Sequence, residues 1–171
     1  GQIINNTVLT PINYDSDYAA AIYLEGIYSA PAYMEMNGGV IEGNKTILSE
    51  HDEYFCGGAL VNYRSDLVIN DGIIRNNEGP SGSGIYFFSM KWGEILTGSM
   101  VISGGQIYGN KTNRVNQSAV GESSPVYIDG EGFELKGGGS EIVDNIYLRT
   151  VTDKISVSAN IYQLGRRYHI Y

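Results

Sequence analysis

Met34-Glu35-Met36-Asn37-Gly38-Gly39-Val40-Ile41-Glu42-Gly43-Asn44 is the stretch that decides how the chain is read, because its pattern returns at a fixed distance. Leu67-Val68-Ile69-Asn70-Asp71-Gly72-Ile73-Ile74-Arg75-Asn76-Asn77 is the second copy. The third is Met100-Val101-Ile102-Ser103-Gly104-Gly105-Gln106-Ile107-Tyr108-Gly109-Asn110. Their shared core is apolar-x-apolar, two turn residues, then Gly-x-Ile-x-x-Asn. Met36, Ile69, Ile102 and Leu135 stand 33 residues apart. A period of this size marks a stacked solenoid, in which each unit buries its apolar face against its neighbours rather than in a core of its own.

Working outward from these copies, three strand types recur. The first is Ile22-Tyr23-Leu24, Ala59-Leu60-Val61, Ile85-Tyr86-Phe87, Val126-Tyr127-Ile128 and Ile146-Tyr147-Leu148. The second is Met34-Glu35-Met36, Leu67-Val68-Ile69, Met100-Val101-Ile102, Phe133-Glu134-Leu135 and Ile155-Ser156-Val157. The third carries Ile3, Ile41, Ile74, Ile107 and Ile142. Alternate side chains of a strand point to opposite faces, so the outer residues of each triplet are predicted inward and the middle one outward.

Asn37-Gly38, Asn70-Asp71, Ser103-Gly104 and Lys136-Gly137 read as two-residue bends that tolerate positive φ. Asn6, Asn44, Asn77, Asn110 and Asn145 follow the third strand and are predicted to form an inward ladder, amide on amide. The sequons at Asn44 and Asn110 are therefore expected to carry no glycan. The connections back to the first strand vary in length: Thr7 to Ala21, Lys45 to Gly58, Glu78 to Gly84 and Lys111 to Pro125. They are expected to leave as long loops at one edge, where a rigid scaffold usually carries binding residues.

The 171 residues correspond to one domain, with 146–171 reading as a C-terminal capping turn. The chain opens inside a repeat, at Gly1-Gln2-Ile3-Ile4-Asn5-Asn6, which is expected of a piece of a larger protein. A net charge of −8 disfavours nucleic acid as a partner. No apolar run is long enough to predict insertion of this segment into a membrane. Cys56 is the only cysteine, which excludes a disulfide within the chain.

Gly39-Val40-Ile41-Glu42-Gly43-Asn44, Gly105-Gln106-Ile107-Tyr108-Gly109-Asn110 and the Ile-Tyr-Leu strands resemble the right-handed parallel β-helix repeats of bacterial cell-surface, adhesin-like proteins. These belong to the broad pectate-lyase-like superfold. The resemblance implies an all-β, right-handed parallel β-helix of about five turns from a secreted or surface-anchored parent. It also implies a stalk, adhesin or glycan-associated role, with glycans or host surface proteins as partners.

Catalysis is not expected. Glycoside hydrolysis needs two carboxylates facing each other, whereas Glu35 and Glu134 have Val68 and Val101 at the intervening positions. That spacing is roughly 14 Å at the strand separation of a sheet. His51 and His169 lie near no convincing nucleophile, and Cys56 reads as a small buried hydrophobe. Asp15, Asp17, Glu50, Asp52 and Glu53 are candidates for a Ca²⁺ site on the loop edge, although no EF-hand spacing is present. The leading binding candidate is the outward middle row of the first strand, Tyr23, Leu60, Tyr86, Tyr127 and Tyr147. It predicts an exposed aromatic stripe able to stack on sugars or anchor a protein. The alternative is that the long loops fold over it as a second small core. Trp92 is a further aromatic platform. Adhesion or stalk function is thus expected ahead of two alternatives, a glycan-active lyase or hydrolase and an oligomeric fibre.

Overall fold

The computed structural model describes residues 1–9, 18–19, 21–27, 30–47, 56–113, 125–136, 140–142, 146–148 and 156–157. For 18–19, 56, 140–142, 146–148 and 156–157 it describes the backbone alone. Among these residues there is no helix, and the chain forms sheets of eight, five and four parallel strands plus two strand pairs. Apart from one antiparallel hairpin, each strand pairs with the strand that occupies its place in a neighbouring repeat.

The second and third strand types are continuous in Tyr33–Glu42 and Asp66–Arg75, which run side by side with an irregularity at Asn37. Ser99–Ile102 and Gly105–Tyr108 continue the same eight-stranded sheet. The register keeps like on like, with Met36 beside Ile69, Ile69 beside Ile102 and Ile102 beside Leu135. Met36, Ile41, Leu67, Ile69, Ile74, Met100, Ile102 and Ile107 are all buried in one apolar cluster. The five-stranded sheet, Ile22–Glu25, Leu60–Tyr63, Ile85–Phe88, Val126–Asp129 and Ile146–Leu148, closes the cluster with Leu60, Ile85, Phe87, Val126 and Ile128.

Three local expectations are corrected. Residues straight after the ladder asparagines do not leave as loops. Thr7–Leu9, Lys45–Ile47, Glu78–Gly79 and Lys111–Thr112 pair into a four-stranded parallel sheet of their own. In the first strand type the second copy is shifted by one residue. Leu60 pairs with Ile85 and Val61 with Tyr86, so Leu60 faces inward and Asn62, not Val61, takes the second inward place. Positive φ falls within the bend only at Gly38, at 140°, among the described residues, and otherwise on the glycine that starts the third strand, Gly39 at 100°, Gly72 at 123° and Gly105 at 84°. A side chain there would collide with the neighbouring repeat's backbone: a Cβ on Gly105 would sit 2.7 Å from the Gly72 carbonyl oxygen.

The asparagine ladder is formed. Asn44 Nδ2 donates to Asn77 Oδ1 at 2.9 Å and Asn77 Nδ2 to Asn110 Oδ1 at 2.8 Å. Each Oδ1 also accepts the backbone N–H of the preceding asparagine, and each Nδ2 also donates to an isoleucine carbonyl, Ile3, Ile41 or Ile74. The amides thus satisfy one another inside an apolar wall, where an unpaired one would be costly. Asn44, Asn77 and Asn110 are buried. Asn6, in the outermost row of this sheet, is exposed, yet its Nδ2 still donates to Asn44 Oδ1 at 2.9 Å. Asn145 lies outside the described residues. Asn5 and Asn76, at φ 57° and 56°, alternate with Gly43 and Gly109, at 67° and 69°, in the left-handed place before each ladder residue. These are the two residue types that occupy this conformation most readily.

Candidate functional site

The row expected as an exposed aromatic stripe is in register except at its second member, where Val61 takes the place expected for Leu60: Tyr23 beside Val61, Val61 beside Tyr86, Tyr86 beside Tyr127 and Tyr127 beside Tyr147. Its expected exposure is corrected. Tyr23 is exposed, but Tyr86 is 1% and Tyr127 0% exposed. Their rings stack at 5.3 Å between centroids and form a second buried cluster with Val61, flanked by Tyr63 and Phe88. The side chain of Tyr147 lies outside the described residues.

Outward from the first core therefore means inward to a second one, and glycine makes the covering layer possible. The segment 79–84 is buried throughout and returns over this face. A Cβ on Gly82 would lie 2.7 Å from Tyr86 Cβ, and one on Gly57 would lie 2.8 Å from Val61 Cγ2. A Cβ on Gly79 would lie 2.5 Å from the Gly58 nitrogen. Backbones approach this closely only without side chains. The readable signal was the concentration of glycine at Gly57-Gly58 and in Gly79-Pro80-Ser81-Gly82-Ser83-Gly84.

Trp92 stands apart from this burial. Lys91–Trp92 and Ile95–Leu96 form an antiparallel hairpin, pairing Trp92 with Ile95 and Lys91 with Leu96. Gly93, at φ 61°, is the first of the two linking residues, the place where a tight two-residue hairpin turn calls for glycine. Thr97 is buried and fastens the base. Its N–H donates to the Met90 carbonyl at 3.0 Å, and its Oγ1 accepts the Met90 N–H at 3.0 Å. All six residues from Lys91 to Leu96 are exposed, Trp92 by 67% and Ile95 by 64%.

Two polar surfaces complete the description. On the outer face of the third strand, Glu42, Arg75 and Tyr108 lie side by side. Arg75 donates to Glu42 Oε2 at 2.8 Å and to the Tyr108 hydroxyl at 2.9 Å. The Arg75 guanidinium holds the Glu42 carboxyl below the usual carboxylate range, with a smaller contribution from the Asn76 amide. Glu42 in turn raises Arg75. On the second strand, Asn70 Nδ2 donates to Glu35 Oε1 and to Asn37 Oδ1, both at 2.8 Å, and Ser103 Oγ donates to Asn70 Oδ1 at 2.7 Å. The exposed Tyr33 donates to Glu35 Oε2 at 3.1 Å, and this bond raises its phenol above the ordinary value. Glu35 and Glu134 are in one outward row with Val68 and Val101 between them.

Asp15, Asp17, Glu50, Asp52 and Glu53, the Ca²⁺ candidates, lie outside the described residues, as do His51, His169 and the Cys56 side chain. Among the described residues no group of three or more His, Cys, Asp and Glu could hold a metal. No helix among them is long and apolar enough to cross a membrane. Comparison of the chain with protein-family models, with curated proteins and with solved structures finds no match.

Proposed function

We propose that the chain is a right-handed parallel β-helix of about five turns that acts as a non-enzymatic adhesion or stalk module, secreted or at a bacterial cell surface. The observation that carries this reading is the rung-to-rung pairing of like residues, with the buried Asn44, Asn77 and Asn110 amides linked along the stack. Such a stack is rigid along its length and holds its surface residues in fixed rows. Right-handedness is supported by the strong preference for right-handed connections between parallel strands of one sheet.

A glycan-cleaving role has less support, because the outward carboxylates of one row are roughly 14 Å apart, beyond the range over which a carboxylate pair shares a glycosidic bond. The function is tested with the purified chain on beads, applied to cultured host cells and to a glycan array, alongside an assay for depolymerisation of the same glycans. Binding without cleavage is the expected result. Cleavage would replace this reading with the enzymatic one, and no binding to cells or glycans would remove the adhesive part and leave a spacer.

A further inference from the structure

One segment of the described chain lifts a large aromatic and a paired aliphatic residue clear of the stack on a hairpin of its own. Residues 91–96 leave the stack between Ile85–Phe88 and Ser99–Ile102, with buried Ser89 before them and buried Thr97 behind. Directly paired residues of an antiparallel hairpin share a face, so Trp92 and Ile95 lie on one face and Lys91 and Leu96 on the other. Leu96, 38% exposed, leans on the stack, its Cδ2 lying 2.7 Å from where a Cβ on Gly132 would be. The Trp92 and Ile95 face is the one left to solvent, and neither residue belongs to either buried cluster. The glycine turn and the Thr97 bonds fix the hairpin before any contact is made, which lowers the ordering cost of binding.

We infer that the Trp92–Ile95 hairpin is a docking anchor for a protein surface that offers an apolar pocket rimmed by lysine or arginine. This rests on the adhesion reading and names the partner's chemistry. Large aromatic side chains seated in a pocket dominate protein contacts, and Trp leads that list. The rim follows from charge: the chain carries −8, exposed Glu94 stands at the hairpin tip, and exposed Glu131 precedes the Gly132 against which Leu96 leans. A second copy of this chain would bring −8 against −8. An anionic lipid surface meets the same repulsion, with Lys91 the one basic residue on the hairpin. A sugar needs convergent hydroxyl partners around the stacked ring, and the residue paired with Trp92 on its face is isoleucine.

The test selects a random-peptide phage library on the immobilised full chain and measures the enriched peptides against the chain carrying Trp92→Ala and Ile95→Ala. The expected peptides combine aliphatic or aromatic residues with Lys or Arg and lose about tenfold or more in affinity on that variant. They also bind more weakly to Glu94→Lys with Glu131→Lys. An unchanged circular dichroism spectrum and melting temperature show that the variants fold. No enrichment, acidic peptides, or equal binding to the double alanine variant would overturn the proposal. So would dimerisation by sedimentation, or flotation with phosphatidylcholine vesicles, if either is lost in that variant. Cell adhesion of beads separates the two readings. Equal adhesion by the parent chain and the alanine variant removes the hairpin and keeps adhesion, and adhesion by neither removes both.

Discussion

The Asn77 side chain makes four hydrogen bonds, to both neighbouring ladder asparagines and to the Ile41 carbonyl. Asn77→Leu keeps the volume and removes all of them, leaving the Asn44 amide buried without its acceptor. A loss of about 3–5 kcal/mol is expected, measured by denaturant unfolding. Asn62 is the opposite case. It sits fully buried between Leu24 and Phe87 in the inward row, with Nδ2 on the Ser99 carbonyl at 3.2 Å and Oδ1 without a partner among the described residues. Asn62→Leu is expected to stabilise the chain by about 1 kcal/mol, since the half-satisfied amide gives way to an apolar contact. Glu42 sets a pH dependence. Its folded-state pKa lies below the unfolded value, so its contribution is present above about pH 4.3 and fades as pH falls through the folded value. In acid titrations Glu42→Gln should start from a lower stability at neutral pH and show a flatter further loss below pH ~4.

The third strand begins on a glycine for a reason that belongs to the element. At Gly105 the φ of 84° and the Gly72 carbonyl 2.7 Å from a would-be Cβ act together, so Gly105→Ala is expected to cost about 2–3 kcal/mol. Gly93, in the hairpin turn, has a φ of 61° but open space around it. Gly93→Ala should therefore cost only about 1 kcal/mol, and denaturant midpoints of the two variants make the comparison. The Gly-x-Ile-x-x-Asn pattern made these strands legible, because it encodes a turn, an inward residue and a polar ladder within six residues. The four-stranded sheet was not legible, since Lys45-Thr46-Ile47 and Glu78-Gly79 share too little pattern to show periodicity. Their pairing is imposed by the ladder residues that precede them, as when the Lys45 N–H donates to the Asn6 carbonyl and the Glu78 N–H to the Asn44 carbonyl, each at 2.8 Å.

Across the whole molecule, burial depends on having a repeat on both sides. Ile74 is 1% exposed between Ile41 and Ile107, while Ile3, in the outermost row, is half-buried. Ile74→Ala is expected to cost about 3–4 kcal/mol and Ile3→Ala about 1 kcal/mol, with hydrogen-exchange protection falling from the middle repeats toward that row. The 33-residue recurrence by itself determined the all-β class, the like-on-like stacking and the asparagine ladder, because each follows from residues that repeat in register. Only the tertiary structure decided which outward residues meet water. Tyr86 and Tyr127 are buried against each other, with glycine-rich chain packed on Tyr86, while Trp92 rises from the stack on a hairpin. Strand alternation tells which side of a sheet a residue takes, but its exposure depends on what else folds back over that side, and such segments carry no period.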